Sequence, residues 1–299
     1  MKKALIVLLA LLIPVVAFAT PQVEAPLGSE ANPVIWSFVP SGDTTQIVAG
    51  GRQVADMIFD KTGLVIEVSV ATEYAGVIEA LSSDPPSAHM TSLATFAYVM
   101  AADRGVAQAA LVAVRFGSPT YNGQIIAGAN TGINSVADLA GRTFARPDPL
   151  STSGWIIPML TMRAAGVDPD RDLRVVDAGG HTAVVTAVYN GDVDAGATFV
   201  DARGNIEANN PDVMEKVKVV ALTADIPNDG VQFHPSVPSD IRATIVAALL
   251  QISQTEEGRQ ALNVAYQWNE LVQRDDSFYD PFRQVLQASG VSVRDLMGN

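Results

Sequence analysis

The 299-residue chain predicts an α/β protein of two lobes, with mainly parallel sheets, a discontinuous first lobe and a cleft between the lobes. Three observations carry that expectation. Short apolar runs suited to buried strands alternate with segments of helical spacing over most of the chain. No fixed-period repeat, low-complexity tract or long linker divides it. The C-terminal segment from Ser239 reads as helix alone, with Ile241, Ile245, Leu249 and Ile252 on one face, and such helices must pack back on strands supplied from elsewhere.

Each element follows in order. Residues 20–33, with Pro21, Pro26 and Gly28, read as a flexible leader. Val34–Val39 is an apolar run for a first strand. Ile47, Gly51, Val54, Ala55 and Ile58 lie at helical spacing, and Gly63 stops that helix. Leu64, Ile66, Val68 and Val70 alternate as a second strand, so the β-α-β order implies parallel pairing by a right-handed crossover. Leu111–Phe116 and Gln124–Ala129 read as strands, and Ser135–Leu139 opens a short helix. A helix follows Ser153, a strand covers Leu173–Val176, and Thr182–Tyr189 is a helix stopped by Gly191. Strands lie near Ala195–Val200 and Val217–Leu222. The expected division is a first lobe of residues 32–122 plus 231–299 and an inserted lobe of residues 123–230. Clefts between lobes are preferred ligand sites.

Composition removes whole classes of function. Asp and Glu number 32 against 19 Lys and Arg, for a net charge of −13, whereas a phosphate-backbone binder needs the opposite balance. The absence of cysteine excludes disulfides, thiolate catalysis and thiolate-held metal. Met1-Lys2-Lys3, the apolar run Ala4–Ala19 and the Ala17-Phe18-Ala19 site have the layout of a secretory signal, so residues 1–19 are expected to be removed after about Ala19. Loss of Lys2 and Lys3 takes the net charge from −13 to −15. The chain is then periplasmic or held at the outer face of the cell membrane. No nucleophile elbow, zincin, phosphate-loop or dinucleotide motif occurs, and His89, His181 and His234 lie far apart in sequence. The expectation is a chain that is not an enzyme and has no metal or cofactor. A hydrolase built on a spatial triad stays open, because triads are defined by geometry.

One constellation stands out. Asp148-Pro149-Leu150 leads into three consecutive hydroxyls, Ser151-Thr152-Ser153, then Gly154-Trp155 and an apolar run. Pro158 fits an early helical turn, where its missing N–H costs least. An ordinary helix N-cap needs one hydroxyl only. The alternative is an oxyanion site, in which the free N–H groups of the first turn and the hydroxyls point at one anion. A strongly acidic chain repels anions at long range, so such a site must rest on short-range neutral donors.

Asp148-Pro149-x-Ser151-Thr152-Ser153-Gly154-x-x-x-Pro158, followed by Gly179-Gly180-His181 and the pattern Val184 to Ala195, resembles the phosphate/phosphite/phosphonate-binding proteins of ABC importers. Ala71–Ala75, Phe96–Ala101, Ser135–Arg142 and Ile226-Pro227-Asn228-Asp229 resemble that family too. The resemblance implies a two-lobed periplasmic-binding-protein fold of type II kind and an extracytoplasmic solute-binding function. It implies that Ser151, Thr152 and Ser153 bind phosphoryl oxygens, that His181 donates a further hydrogen bond, and that Tyr74 and Tyr98 close over the ligand. Asp201 stands where relatives can carry an acid facing the ligand's substituent, and Tyr121 lies near an interlobe crossing. Each residue also has a plainer role: His181 as a cap or buried hydrogen-bonded group, the tyrosines as core, Asp201 as an N-cap for Ala202–Ile206. Where relatives have Asp, this chain has His89. Trp36, Trp155, Trp268 and His234 read as packing residues. The implied partners are a small phosphorus oxyanion or phosphonate (phosphate, phosphite, or an alkyl or aminoalkylphosphonate) and a membrane permease, with no nucleic acid and no second copy of the chain. A membrane sensor kinase as partner, or another oxyanion or organic acid as ligand, is the alternative.

Overall fold

Val34–Phe38 forms β1, and in the computed structural model, which describes residues 25–291, it lies inside a six-stranded sheet. The expected signal segment 1–19 falls outside the described residues. Helix α1 (Thr44–Thr62) starts at Asp43, whose Oδ1 accepts from Gln46 N–H at 3.0 Å, and ends at Gly63. Then come β2 (Ile66–Val70), α2 (Tyr74–Ser82), β3 (Met90–Ser92), α3 (Thr95–Asp103) and β4 (Gln108–Val114). After residues 115–119 the chain enters a five-stranded sheet with β5 (Thr120–Gly128), β6 (Thr143–Arg146), α4 (Ile157–Ala164), α5 (Pro169–Asp172), β7 (Arg174–Asp177) and α6 (His181–Asn190). It continues with β8 (Ala195–Phe199), α7 (Gly204–Glu207), α8 (Val213–Lys216) and β9 (Val217–Pro227). Residues 228–229 lead back to β10 (Gly230–Phe233), α9 (Ser239–Ser253), α10 (Glu256–Tyr266), β11 (Glu270–Gln273) and α11 (Asp280–Ala288).

The first sheet has the order β11-β4-β10-β3-β1-β2 and the second β7-β6-β8-β5-β9. The alternation of strands and helices thus builds the two-sheet α/β architecture, but the pairing is mixed rather than mainly parallel. β1 pairs parallel with β2 and β3, and β6 with β7 and β8. The pairs of β10 with β3 and β4, of β11 with β4, and of β5 with β8 and β9 are antiparallel. The reason is connectivity. β5 and β10 follow a crossing between sheets instead of a crossover helix, so they enter from the opposite end.

β11 corrects the reading of the C-terminal segment as helix alone. Leu271 is buried there, but a four-residue strand between two helices leaves little periodicity to detect. The remaining helices do pack on the first sheet's side. α9 and α10 lie against α1, so closely that a Cβ on Gly50 would stand 2.4 Å from the backbone nitrogen of Ala265. Glycine is required at that crossing.

The two crossings lie side by side. Ala113 N–H donates to Asp229 O and Asn228 N–H to Pro119 O, each at 2.8 Å. The Asn228 side-chain amide donates to Ala113 O and Ser118 O, each at 3.0 Å. Arg115 donates to both carboxylate oxygens of Asp229, at 2.5 and 3.1 Å, and to Tyr266 O at 3.0 Å. Both connections are therefore tied into one unit. Among the described residues no helix is long and apolar enough to cross a membrane.

Candidate functional site

Four helical segments begin at one place. Tyr74 is the first residue of α2, Thr95 of α3, Thr152 of a π-helical turn (Thr152–Ile156) leading into α4, and His181 of α6. The first turn of a helix presents unpaired N–H groups and the positive end of its dipole. Glu73, Ala94 and Gly180, the residues before α2, α3 and α6, give no side-chain cap. Part of that capping comes from the opposite half of the molecule. Asp148 Oδ2 accepts from Tyr74 N–H at 3.1 Å, and Thr152 Oγ1 accepts from Phe96 N–H at 2.8 Å. His181 N–H donates to Ser41 O at 3.1 Å. At the rim, Gln267 Nε2 donates to Asn205 Oδ1 at 3.2 Å. The two sheets are thereby bridged across the cleft.

The three hydroxyls do three different things. Ser151 is the N-cap, its Oγ accepting from Gly154 N–H at 3.2 Å. Thr152 serves α3, in the other half. Ser153 lies beside the side chain of Tyr121, as does Thr95. The expected helix after Ser153 starts two residues earlier, at Thr152, and in a wider π form, with Pro158 in the first turn of α4. Gly123 on β5 allows this packing: a Cβ there would lie 2.6 Å from Ser153 O.

His181 is 4% exposed, and burial with the nearby Arg115 guanidinium pushes its pKa down to about 3. The ring is neutral. Its Nδ1 accepts from Phe199 N–H at 3.3 Å, so the proton sits on Nε2, which stands 3.4 Å from Ser151 Oγ. The imidazole packs on Phe199 at 4.8 Å between centroids. Tyr74 is buried with its side chain near Ser151, and burial raises its pKa. Burial likewise pushes Tyr121 up to about 12. The cluster is thus a set of neutral donors with one cation behind it, Arg115, whose charge Asp229 offsets.

The structure brings together Tyr74, Tyr121, Ser151, Thr152, Ser153 and His181. Two expected residues are turned elsewhere. Tyr98 donates to Asp276 Oδ1 at 2.6 Å, accepts from Ala109 N–H at 3.2 Å and stacks on Tyr279 at 4.5 Å. It stands one turn on from Thr95 in α3, and its hydroxyl is committed to Asp276 rather than to the cluster. The Asp201 carboxylate is held by Arg203 at 2.6–3.1 Å and by Gln124 Nε2 at 2.9 Å, and it accepts from Arg203 N–H at 3.1 Å. It caps no helix: α7 begins at Gly204 with Arg203 as its N-cap, and Asp201 instead closes a local turn onto Arg203. Trp155 packs under Arg146, 4.4 Å from the guanidinium, and His89 Nδ1 accepts from Ile35 N–H at 3.0 Å. Both are structural.

Sequence reasoning missed Thr95, Arg115 and Tyr266. Tyr266, the last residue of α10, donates to Val39 O at 2.8 Å and accepts from Arg115 at its carbonyl at 3.0 Å, close to Tyr74 and Tyr121. Nothing local marks it, since α10 reads as an ordinary amphipathic helix. Arg115 had a usable signal: a lone Arg in a strand end, ahead of the Asn228-Asp229 pair. Two open depressions, of about 540 and 490 Å3, do not hold this cluster: one lies between α9, β4 and β11, and the other borders the start of α6. No group of three or more acidic or His side chains suited to a metal occurs among the described residues.

Residues 36–279 match the family described as the phosphonate periplasmic substrate-binding protein of ABC transporters. The chain is 31% identical over 172 residues to the phosphate-import protein PhnD of Mycolicibacterium smegmatis, covering 54% of this chain. The match spans 53%, about half, of that relative's length. A binding-protein component of an ABC phosphonate transporter from Pseudomonas aeruginosa superposes with a TM-score of 0.78 at 21% identity, covering 86% of this chain and 87% of the other. PhnD1 of Prochlorococcus marinus, solved with methylphosphonate, gives 0.74 at 14% identity, covering 85% and 97%. At these identities the structural likeness establishes the fold.

Proposed function

Because the chain belongs to the family of periplasmic substrate-binding proteins of ABC phosphonate transporters, we propose that it captures a small phosphorus oxyanion or phosphonate between its two sheets and delivers it to a membrane permease. The carrying observation is the convergence of four helix starts on Ser151, Ser153, His181 and Tyr74. Such a site binds an anion through neutral hydrogen bonds and helix dipoles, as an acidic chain requires. In this reading Ser153 and the N–H groups of the π turn hold phosphoryl oxygens. Ser151 and His181 Nε2–H add donors from one half, and Tyr74 and Tyr121 close the site with their hydroxyls. Thr152 ties the halves together.

The lobes part at the crossings 115–119 and 228–229, within a few residues of the bounds read from the sequence (32–122 plus 231–299, and 123–230), and these crossings act as the hinge. An open form admits the ligand, contacts from both lobes favour closure, and the permease recognises the closed form. The protein binds and releases without making or breaking bonds. It works as a monomer outside the cytoplasmic membrane, after removal of residues 1–19.

Calorimetric titration with phosphate, phosphite, methylphosphonate and sulfate tests this. One-to-one binding of at least one phosphorus compound, lost when Ser153 and His181 are both changed to Ala, is expected. Turnover of a phosphoester, or no binding of any of the four, overturns it.

A further inference from the structure

The carboxylates around the cluster are all engaged. Asp148, buried below the start of α2, accepts from Leu150 N–H at 2.7 Å and from Tyr74 N–H at 3.1 Å. Both oxygens of Asp229 are taken by Arg115. Both oxygens of Asp201 are taken by Arg203, with Gln124 on one of them. Asp177, which faces Asp148, is paired with Arg146 at 2.5 Å. None of these four stands free to meet a positive charge, and Glu73, beside Tyr74, is exposed to solvent rather than turned into the buried cluster.

What remains to meet a ligand's substituent is uncharged. Tyr74 and Tyr121 flank the hydroxyl cluster with hydroxyls that can donate or accept, while Tyr266, which donates to Val39 O, can still accept. A bare aromatic face could hold an ammonium, but Arg115 already lies over the Tyr121 ring, 5.8 Å from its centroid. The lips are also closed by hydrogen bonds on both sides of the cluster, Phe96 N–H to the Thr152 hydroxyl and His181 N–H to Ser41 O. Ser151, Thr152, Ser153 and Tyr74 are at most 2% exposed, so a long tail has to break those bonds to fit.

We infer that the site takes a phosphorus oxyanion whose fourth substituent is short and uncharged (hydroxyl, hydrogen or methyl) and rejects a phosphonate whose tail carries an ammonium. The inference rests on the proposed binding function and narrows its ligand. An ammonium enclosed here loses its water and finds no free anion, which is the costly half of a broken buried ion pair. A hydroxyl or methyl loses little.

The test is calorimetric titration of the full mature chain with phosphate, phosphite, methylphosphonate, ethylphosphonate and 2-aminoethylphosphonate. Ethylphosphonate separates tail length from tail charge. Binding of 2-aminoethylphosphonate is expected to be weaker than that of ethylphosphonate by about 100-fold or more. Replacing Arg203 with Met leaves Asp201 without its counter-ion and is expected to narrow that gap. If 2-aminoethylphosphonate binds as tightly as ethylphosphonate, the inference falls and the binding function stands. If none of the five binds, the binding function falls and takes this inference with it.

Discussion

The hydroxyl of Thr152, in the half built on the second sheet, accepts a hydrogen bond at 2.8 Å from the backbone N–H of Phe96, in the first turn of α3 on the other half. Both groups are buried, so in the proposed hinge motion closure would supply each with the partner that opening returns to water. A residue that the family resemblance assigned to the anion is thus a link between the two halves.

Thr152→Val keeps the shape of the side chain and removes the acceptor. It leaves the Phe96 N–H unpaired in the closed form, at a cost of about 1–3 kcal/mol. Ligand affinity should fall by a corresponding factor of about 5 to 150. The ligand-free melting temperature should change little, because in the open form both groups meet water. Calorimetry and a thermal melt on the same sample check both; an unchanged affinity would remove the link.

Ser151 and Ser153 should separate. Ser151→Ala removes the cap on Gly154 N–H, so it should cost about 0.5–2 kcal/mol of stability in addition to affinity. Ser153→Ala removes no cap and should reduce affinity while the ligand-free urea midpoint stays near that of the wild type.

His181 makes stability fall with acid. Its pKa is depressed to about 3 in the fold against about 6.5 unfolded. Its contribution is complete above about 6.5 and is lost as pH falls toward about 3, at up to roughly 1.4 kcal/mol per pH unit. Urea unfolding between pH 7 and pH 4 should show a steeper loss for the wild type than for His181→Gln. Equal slopes would mean that the imidazole titrates normally.

Arg115 and Asp229 hold the two crossings together, with their side chains 17% and 11% exposed. Arg115→Met leaves a buried carboxylate unpaired and should destabilise by about 3–5 kcal/mol. Adding Asp229→Leu should recover much of that loss, so the double variant is more stable than the sum of the singles predicts. Urea denaturation of the three variants measures the coupling.

Asp201→Asn should cost about 0.5–1 kcal/mol of stability, because it weakens a half-buried ion pair with Arg203. The ratio of phosphate to sulfate affinity should stay the same. A shift in that ratio would bring the carboxylate back to the ligand.

Much of the framework could be read in advance. The run Val34–Phe38, the spacing of Ile47, Val54 and Ile58, and the stop at Gly63 all reappear as elements, because each depends on neighbours within a few residues. The hydroxyl run and Gly180-His181 could be read for the same reason: a loop that ends in a helix start carries its own signature. β10 and β11 could not, since four-residue strands owe their existence to the partner β4 supplies.

By itself the sequence determined that the chain is acidic and cysteine-free, that it alternates strand and helix, and that three hydroxyls and a histidine open helices. Composition and local periodicity are properties of the chain before it folds. Only the tertiary structure decided that Ser151 caps its own helix while Thr152 caps another, that Tyr98 turns to Asp276 and that Asp201 is neutralised by Arg203. Those choices depend on which groups arrive opposite one another, and a buried polar atom takes whatever partner the packing places within about 3 Å.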